Sequence, residues 1–145
     1  MRNIKDELTN GIYVSINQEP TSKIVQGIKN HEFRNYIPKK SFKFMYVYVT
    51  APQSQLKYVI EIGNIVKYPE QLEFDGDGNL DFNKGKKSKY AYPIIKVYEL
   101  SNPISLEDLK KKFGFVPPQA FSYAETFTEL TEHILTAEKV VIINR

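Results

Sequence analysis

The eight residues Gly27-Ile28-Lys29-Asn30-His31-Glu32-Phe33-Arg34 decide the fold of this chain. Glycine favours the end of a helix, and the alternating residues that follow are typical of a strand. Side chains two positions apart share one face of a strand, so Glu32 and Arg34 are predicted to lie together, with Lys29 presented at the preceding turn. Such cations can hold a phosphate or a base edge, and a carboxylate can orient them. The segment therefore predicts either a charged binding site or a structural ion pair.

Strand and helix patterns lead into this segment. Residues 11–17 alternate between apolar and polar side chains, which predicts a strand with one buried face. Pro20 suits the first turn of a helix, so we expect a short helix from there to Gly27. A second strand is predicted over residues 31–34.

The middle of the chain is rich in β-branched and aromatic residues. Residues 41–50 and 58–68 are predicted to form central strands, with a bulge at Gly63. Residues 69–88 are polar and contain several glycines, which predicts a long loop that is either functional or mobile. The strand pattern resumes over residues 90–100, where Pro93 indicates an edge strand or a bulge.

Capping signals indicate where the last helices begin. Ser105 and Asp108 form a capping box, which predicts a helix from residue 106 to about residue 113. Thr126 and Glu129 repeat this arrangement ahead of another helix, and the chain closes on a β-rich run over residues 139–143. Strands outnumber helices in a mixed order, which indicates the α+β class.

Composition indicates one globular domain over residues 1–145. The chain has 41% hydrophobic and 13% aromatic residues, and it shows no internal repeat and no linker-like stretch. The absence of cysteine excludes disulfides, thiolate metal sites and cysteine nucleophiles, and it favours a cytoplasmic location. The first residues lack the apolar core of a signal peptide, and no apolar run approaches the ~20 residues of a membrane helix. We therefore expect no membrane partner.

Sequence motifs for metals and cofactors fail on inspection. Two histidines, His31 and His133, are too few for a histidine-rich metal site. Residues 75–86 begin with the spacing of a calcium loop, but Leu80 replaces the required glycine and Lys86 replaces the final glutamate. We expect no metal and no cofactor. The net charge of +3 permits binding to a polyanion.

A family resemblance starts from the charged segment. The run Gly-x-Lys-x-x-Glu-x-Arg, formed by Gly27, Lys29, Glu32 and Arg34, resembles the signature of ASCH domains, members of the PUA-like superfamily. The resemblance extends over residues 11–124. It includes Ser15-Ile16, Ile24, Val25, residues 46–52, Tyr92 and residues 117–123.

This resemblance implies a PUA-like (ASCH) fold, a small mixed β-barrel of five or six strands with flanking helices. It also implies a cleft near the first helix, in which the signature lies. The expected ligand-binding residues are Ser15, Lys29, Glu32, Arg34, Tyr36, Gln119 and Tyr123. Gln119 and Tyr123 are expected to close the cleft.

Binding of RNA or of a modified nucleoside is the function that the resemblance implies first. Related PUA-like domains bind RNA or read modified bases, and aromatic side chains can stack on a base. DNA is an open alternative ligand, and the oligomeric state is open.

Two other function classes remain open. Some ASCH-fold proteins resemble amidohydrolases of a modified cytidine or ribonucleases, for which Lys29 and Glu32 would be the candidate catalytic residues. Glu32 stands where such an amidohydrolase has a nucleophilic threonine, so it would act as general base while Lys29 stabilises the oxyanion. The last class is a protein-interaction module, which predicts that the signature is covered by neighbouring residues.

Overall fold

The structure is a computed structural model that describes residues 4–145. Its helices are α1 (Ile4–Thr9), α2 (Gln18–Val25), α3 (Asn79–Asn83), α4 (Leu106–Phe113) and α5 (Thr128–Thr136), with a 3-10 turn at Ala124–Phe127. Its strands are β1 (Gly11–Ile16), β2 (His31–Arg34), β3 (Phe44–Val49), β4 (Gln55–Ile62), β5 (Val66–Lys67), β6 (Tyr90–Ser105), β7 (Ser122–Tyr123) and β8 (Lys139–Asn144).

One curled sheet contains these strands in the order β2-β6-β4-β3-β1-β7, and β5 and β8 also pair with β6. β1 and β3 are parallel, and the other pairs are antiparallel. The sheet closes only half of a barrel, and helices flank it. The predicted α+β class and the mixed β-barrel with flanking helices are therefore confirmed, in this half-barrel form, although the sheet has eight strands where five or six were expected.

Two hydrophobic cores lie on opposite faces of the sheet. All six residues of β3 are buried, because Met45 and Val47 face one core while Tyr46 and Tyr48 face the other. The first core includes Ile24 of α2. The second lies between the sheet and the helices α4 and α5. A strand buried on both faces shows no polar alternation, which explains the dense aromatic and valine run at this point of the sequence.

β6 is the strand that the others depend on. It has 16 residues and pairs with β2, β4, β5 and β8. Pro93 therefore does not lie in an edge strand, and that part of the expectation is wrong. The bulge is correct, because the register between β4 and β6 shifts between Glu61 and Ile62, where β6 has one extra residue, Ile95, two positions after Pro93. Gly63 lies just after β4 and donates its N–H to the Pro93 carbonyl.

Two other expectations need correction. The predicted loop over residues 69–88 contains α3, whose Phe82 is completely buried against β2 and β6. Thr126 does not cap α5, since residues 124–127 form the 3-10 turn and the helix begins at Thr128 without a side-chain cap. Short-range patterns could not show either feature, because tertiary packing fixes both.

The helices within residues 4–145 are short. The longest, α5, has nine residues, and none of the described helices combines the length and apolarity needed to cross a bilayer.

The cap of α4 gives a direct test of the fold. Ser105 Oγ accepts a hydrogen bond from the Asp108 N–H at 3.1 Å, so Ser105→Ala should lower the free energy of unfolding by about 1 kcal/mol. Thr126→Ala is the matched control, because Thr126 has the same sequence signal but no cap bond, and it should change stability by less than about 0.5 kcal/mol. Urea denaturation measures both values. Equal losses would contradict the assignment of the cap.

Candidate functional site

The candidate site begins at the turn between α2 and β2. Gly27 has φ +80°, a conformation that favours glycine, and it directs the chain out of the helix. The Lys23 carbonyl accepts the N–H groups of Ile28 and Lys29 at 2.9 and 3.1 Å, which makes the reversal tight. The Lys29 side chain is buried as a result.

The charged and the aromatic side chains of β2 lie on opposite faces of the strand. Glu32 and Arg34 bond to each other on one face, as the period of two predicts. Phe33 lies on the other face and stacks on Phe82 of α3 with ring centroids 5.8 Å apart. The antiparallel partner of Glu32 in β6 is Tyr92. The charged face of β2 is thereby held beside Tyr92, a residue of the first core.

Lys29, Glu32 and Arg34 form a buried ionic cluster, which we call the triad. Glu32 Oε2 accepts from Arg34 Nη2 at 2.7 Å and from Arg34 Nε at 3.1 Å. Glu32 Oε1 lies 3.5 Å from the Lys29 ammonium. Side-chain exposure is 6% for Lys29, 9% for Glu32 and 13% for Arg34. The triad therefore contains two buried cations and one carboxylate.

Ser15 and Tyr36 join the same hydrogen-bond network. Arg34 Nη2 donates to the Ser15 carbonyl at 3.2 Å, and Arg34 Nη1 donates to the Tyr36 hydroxyl at 3.2 Å. Ser15 Oγ donates to the Pro118 carbonyl, and the Tyr36 hydroxyl donates to the Ala120 carbonyl, both at 2.8 Å. Residues 117–121, which we call the cover, are thus tied to the Arg34 end of the triad by these two hydrogen bonds and by the stacking of Phe121 on Tyr36.

The remaining two predicted residues lie at the margin of this network. Tyr123 packs edge-on against Phe121 with centroids 5.2 Å apart, and its hydroxyl accepts the Lys40 N–H at 3.3 Å. Gln119 is exposed within the cover, and its side chain makes no hydrogen bond to the described part of the chain. The structure therefore brings Ser15, Lys29, Glu32, Arg34 and Tyr36 together, with Tyr123 beside them and Gln119 on the surface.

The surroundings of Lys29 weaken its hold on a proton. Burial lowers the pKa of the ammonium, although Glu32 opposes the shift, and nearby Lys87 lowers the pKa further. The ammonium lies 4.4 Å from the centre of the Phe33 ring. Glu32 is the sole carboxylate within ion-pair distance of Lys29 among the residues described. Lys29 can therefore donate to an incoming acceptor or release a proton more readily than a surface lysine.

Tyr92 is a site residue whose role the sequence did not indicate. It is completely buried in β6, and its hydroxyl donates to the Tyr36 carbonyl at 2.5 Å. Its ring packs edge-on against Phe42 with centroids 5.5 Å apart. These contacts connect positions that are far apart in the chain, and only a known strand pairing could have found them.

Asn30 and Asn79 fasten the loop that contains α3 to the turn. Asn79 Nδ2 donates to Asn30 Oδ1 at 2.9 Å, and the Asp77 N–H donates to the Ile28 carbonyl at 2.9 Å. Asn79 is completely buried. The loop over residues 69–88 is thus an ordered part of the site's wall, and no local sequence signal indicated it, because the bonds that hold it come from distant residues.

Two further hollows accompany the triad. An open groove of about 470 Å³, which we call the basic groove, is lined by residues 37–42 and 63–65. A smaller cavity of about 130 Å³ lies on the opposite face of the sheet, where the Tyr46 ring forms part of its wall. The described residues contain no group of three or more His, Cys, Asp or Glu side chains that could hold a metal.

Comparisons with known proteins give structural neighbours only. No protein-family model and no curated protein matches this chain. A crystal structure of ASCH from Zymomonas mobilis is similar, with a TM-score of 0.66 and 21% identity over 90% of this chain and 97% of that chain. Structures of a tyrosine-to-phenylalanine and a serine-to-alanine variant of the ASCH protein from Zymomonas mobilis give TM-scores of 0.63 and 0.61. Their identities are 21% and 23%, and they cover 89% and 86% of this chain and 99% and 96% of their own.

Removal of the central carboxylate should destabilise the protein. Glu32→Gln leaves two buried cations without an anion, so we expect the free energy of unfolding to fall by about 3–5 kcal/mol. Glu107→Gln is the matched control, because it breaks an exposed ion pair to Lys111 and should cost less than about 1 kcal/mol. Lys29→Met combined with Glu32→Gln should recover part of the loss. Urea denaturation measures these values, and an equal loss of free energy of unfolding in Glu32→Gln and Glu107→Gln would contradict a buried ionic triad.

His31 makes stability depend on pH. Burial lowers its pKa to about 4, and the charges of Lys29 and Arg145 add to this effect against the pull of Asp75. Its Nδ1 lies 2.7 Å from Asn30 Oδ1. Because the unfolded state takes up a proton near the ordinary value and the folded state does not, stability is lost as the pH falls from about 6.5 to about 4.

His31→Asn should reduce this pH dependence. Between pH 7.5 and pH 5 the wild type should lose about 2 kcal/mol more than the variant in free energy of unfolding. His133→Asn, at an exposed position of α5, serves as the control and should follow the wild type. Parallel curves for His31→Asn and the wild type would show that His31 is not held neutral by its site.

Proposed function

We propose that this chain, which has the ASCH fold, is an RNA-binding or modified-nucleoside-binding domain whose ligand meets the triad. One observation carries the proposal. The triad buries one more positive than negative charge, and its lysine has a single carboxylate within ion-pair distance in the described structure, at 3.5 Å. A buried ammonium costs several kcal/mol unless it is paired and hydrogen-bonded. A pair that served only as scaffolding would need one cation, so the second cation indicates a ligand with negative charge or several acceptors.

Phosphate and nucleobase chemistry fits the donors of the site. A lysine ammonium has three donors and acts on a phosphate as a point charge, while the Arg34 guanidinium is already committed to Glu32, Ser15 and Tyr36. Lys29 is therefore the group with donors to offer. Glu32 fixes the position of both cations.

Aromatic rings beside the triad can hold a base. Tyr36 stacks on Phe121 with centroids 5.4 Å apart and an interplanar angle of 25°, and Tyr123 packs against the edge of Phe121. Stacking of a base on such a ring contributes about 1–3 kcal/mol. A base on these rings would lie next to the Arg34 end of the triad.

Ligand entry requires movement of the cover. The triad side chains are at most 13% exposed, and the bonds from Ser15 and Tyr36 hold residues 117–121 beside Arg34. Opening breaks two side-chain hydrogen bonds, each with a net contribution of about 1 kcal/mol, and also separates the Phe121 ring from the Tyr36 ring. Part of the binding free energy is therefore used to open the cover.

Hydrolysis is a second candidate function, favoured by the lowered pKa of Lys29. A lysine that releases its proton more readily can act in proton transfer, as cleavage of RNA or of an acylated nucleoside requires. Two N–H groups of Arg34 already bond to one oxygen of Glu32, Oε2, so Lys29 is the better candidate for proton transfer.

The test compares Lys29→Met with Lys110→Met, an exposed lysine of α4 without an ion pair in the described chain. Thermal shift against nucleosides, modified nucleosides, nucleotides and short single-stranded RNA identifies a ligand, since binding stabilises the folded state. Loss of the Lys29 contact should lower the affinity for that ligand by about tenfold to a hundredfold, as expected for hydrogen bonds to a charged group. Lys110→Met should bind as the wild type does.

The same samples separate the alternatives. Cleaved or deacylated product that forms with the wild type and not with Lys29→Met would establish hydrolysis. Binding without product would establish a binding domain. The proposal would be contradicted if none of these compounds raised the melting temperature, or if Lys29→Met bound the ligand as tightly as the wild type. The triad would then be structural scaffolding in a protein-interaction module.

A further inference from the structure

We propose that the basic groove is a second RNA subsite, which holds the backbone of the nucleotides that follow the one at the triad. This inference rests on the proposed function, and it names the ligand as single-stranded RNA longer than one nucleotide. The groove has about 470 Å³, within the range of roughly 300–1,000 Å³ that ligand sites occupy.

The groove is linked to the triad through two short connections. Arg34 bonds to the Tyr36 hydroxyl, and the next residues along the chain, 37–42, form one wall of the groove. Phe42 in that wall packs on Tyr92, whose hydroxyl bonds to the Tyr36 carbonyl. With the cover open, a strand of RNA that leaves the triad past Tyr36 would meet this groove next.

The charge of the groove is positive. Its lining contains Lys39 and Lys40 and no acidic residue. Lys40 forms an ion pair with Glu125 and lies over the Tyr123 ring, so part of its charge is already compensated. Lys39 is exposed and has no ion-pair partner in the described part of the chain. Lys39 is therefore the lysine that a backbone phosphate would meet.

The walls of the groove suit the apolar parts of a nucleotide. Ile37 is 48% exposed, and Phe42 and Ile65 are partly buried beside it. Non-specific single-strand binders combine a positively charged groove with aromatic side chains, and Phe42 is the aromatic residue of this lining. Ser41 and Asn64 add polar groups to the same lining.

The experiment measures affinity as a function of RNA length. Labelled oligouridylates of two and eight nucleotides are titrated into the wild type, Lys39→Ala and Lys110→Ala by fluorescence anisotropy. We expect the wild type to bind the longer RNA more tightly than the shorter one, and Lys39→Ala to lose most of that difference. Lys110 is an exposed lysine of α4, on the other face of the sheet, so Lys110→Ala should behave as the wild type.

Salt dependence gives a second readout that a purely structural effect would not produce. Each phosphate contact to single-stranded nucleic acid contributes about 0.7 to the slope of log affinity against log salt. The affinity deficit of Lys39→Ala for the octanucleotide should therefore shrink by about fivefold when salt rises tenfold.

The possible outcomes separate this inference from the proposed function. Equal affinity for both lengths in the wild type, or a Lys39→Ala variant that binds the octanucleotide as tightly as the wild type, would overturn the second subsite alone. In that case the dinucleotide would still bind and still depend on Lys29. Failure of both RNAs and of all nucleosides to bind the wild type would overturn both proposals.

Discussion

The Glu32 carboxylate is the interaction on which the rest of the candidate site depends. It receives two bonds from Arg34 and faces the Lys29 ammonium, and both cations are buried. Arg34 in turn reaches β1 through the Ser15 carbonyl and the cover through Tyr36. A single buried anion thereby fixes the turn after α2, the strand β2, the end of β1 and the cover in one arrangement. Buried charges demand good geometry, so this cluster specifies positions more strictly than apolar packing would.

The half-barrel supplies the rigid support that such a cluster needs. β6 pairs with four strands, and its first residues back β2 while its last residue, Ser105, caps α4. The inner strands β1 and β3 are buried on both faces, so the sheet resists bending toward either core. The cover differs from this support, because irregular backbone and two side-chain bonds hold it. The molecule therefore combines a rigid sheet with a cover that is more easily displaced.

Local signals in the sequence predicted the elements that local physics controls. The bounds of β2, the shared face of Glu32 and Arg34 and the Ser105 cap all follow from spacing within a few residues. The partners of the triad did not follow in this way, since the bond from Ser15 to Pro118 spans 103 positions and only the family resemblance indicated its neighbourhood. Helix α3 was missed because five residues are too short to show a helical pattern, and its Asn79 is held by Asn30, which is distant in the sequence. Thr126 carried a capping signal, but the 3-10 turn made it irrelevant.

The charge count of the triad also constrains how this protein can evolve. If Glu32 is replaced first, two cations remain without an anion in a buried site. If Arg34 is replaced first, the carboxylate keeps a single, longer contact to Lys29. Each single replacement lowers the free energy of unfolding, whereas a paired replacement avoids this loss. Positions 29, 32 and 34 are therefore expected to change together across descendants, as a linked set of characters, while Gln119 on the open surface is free to drift.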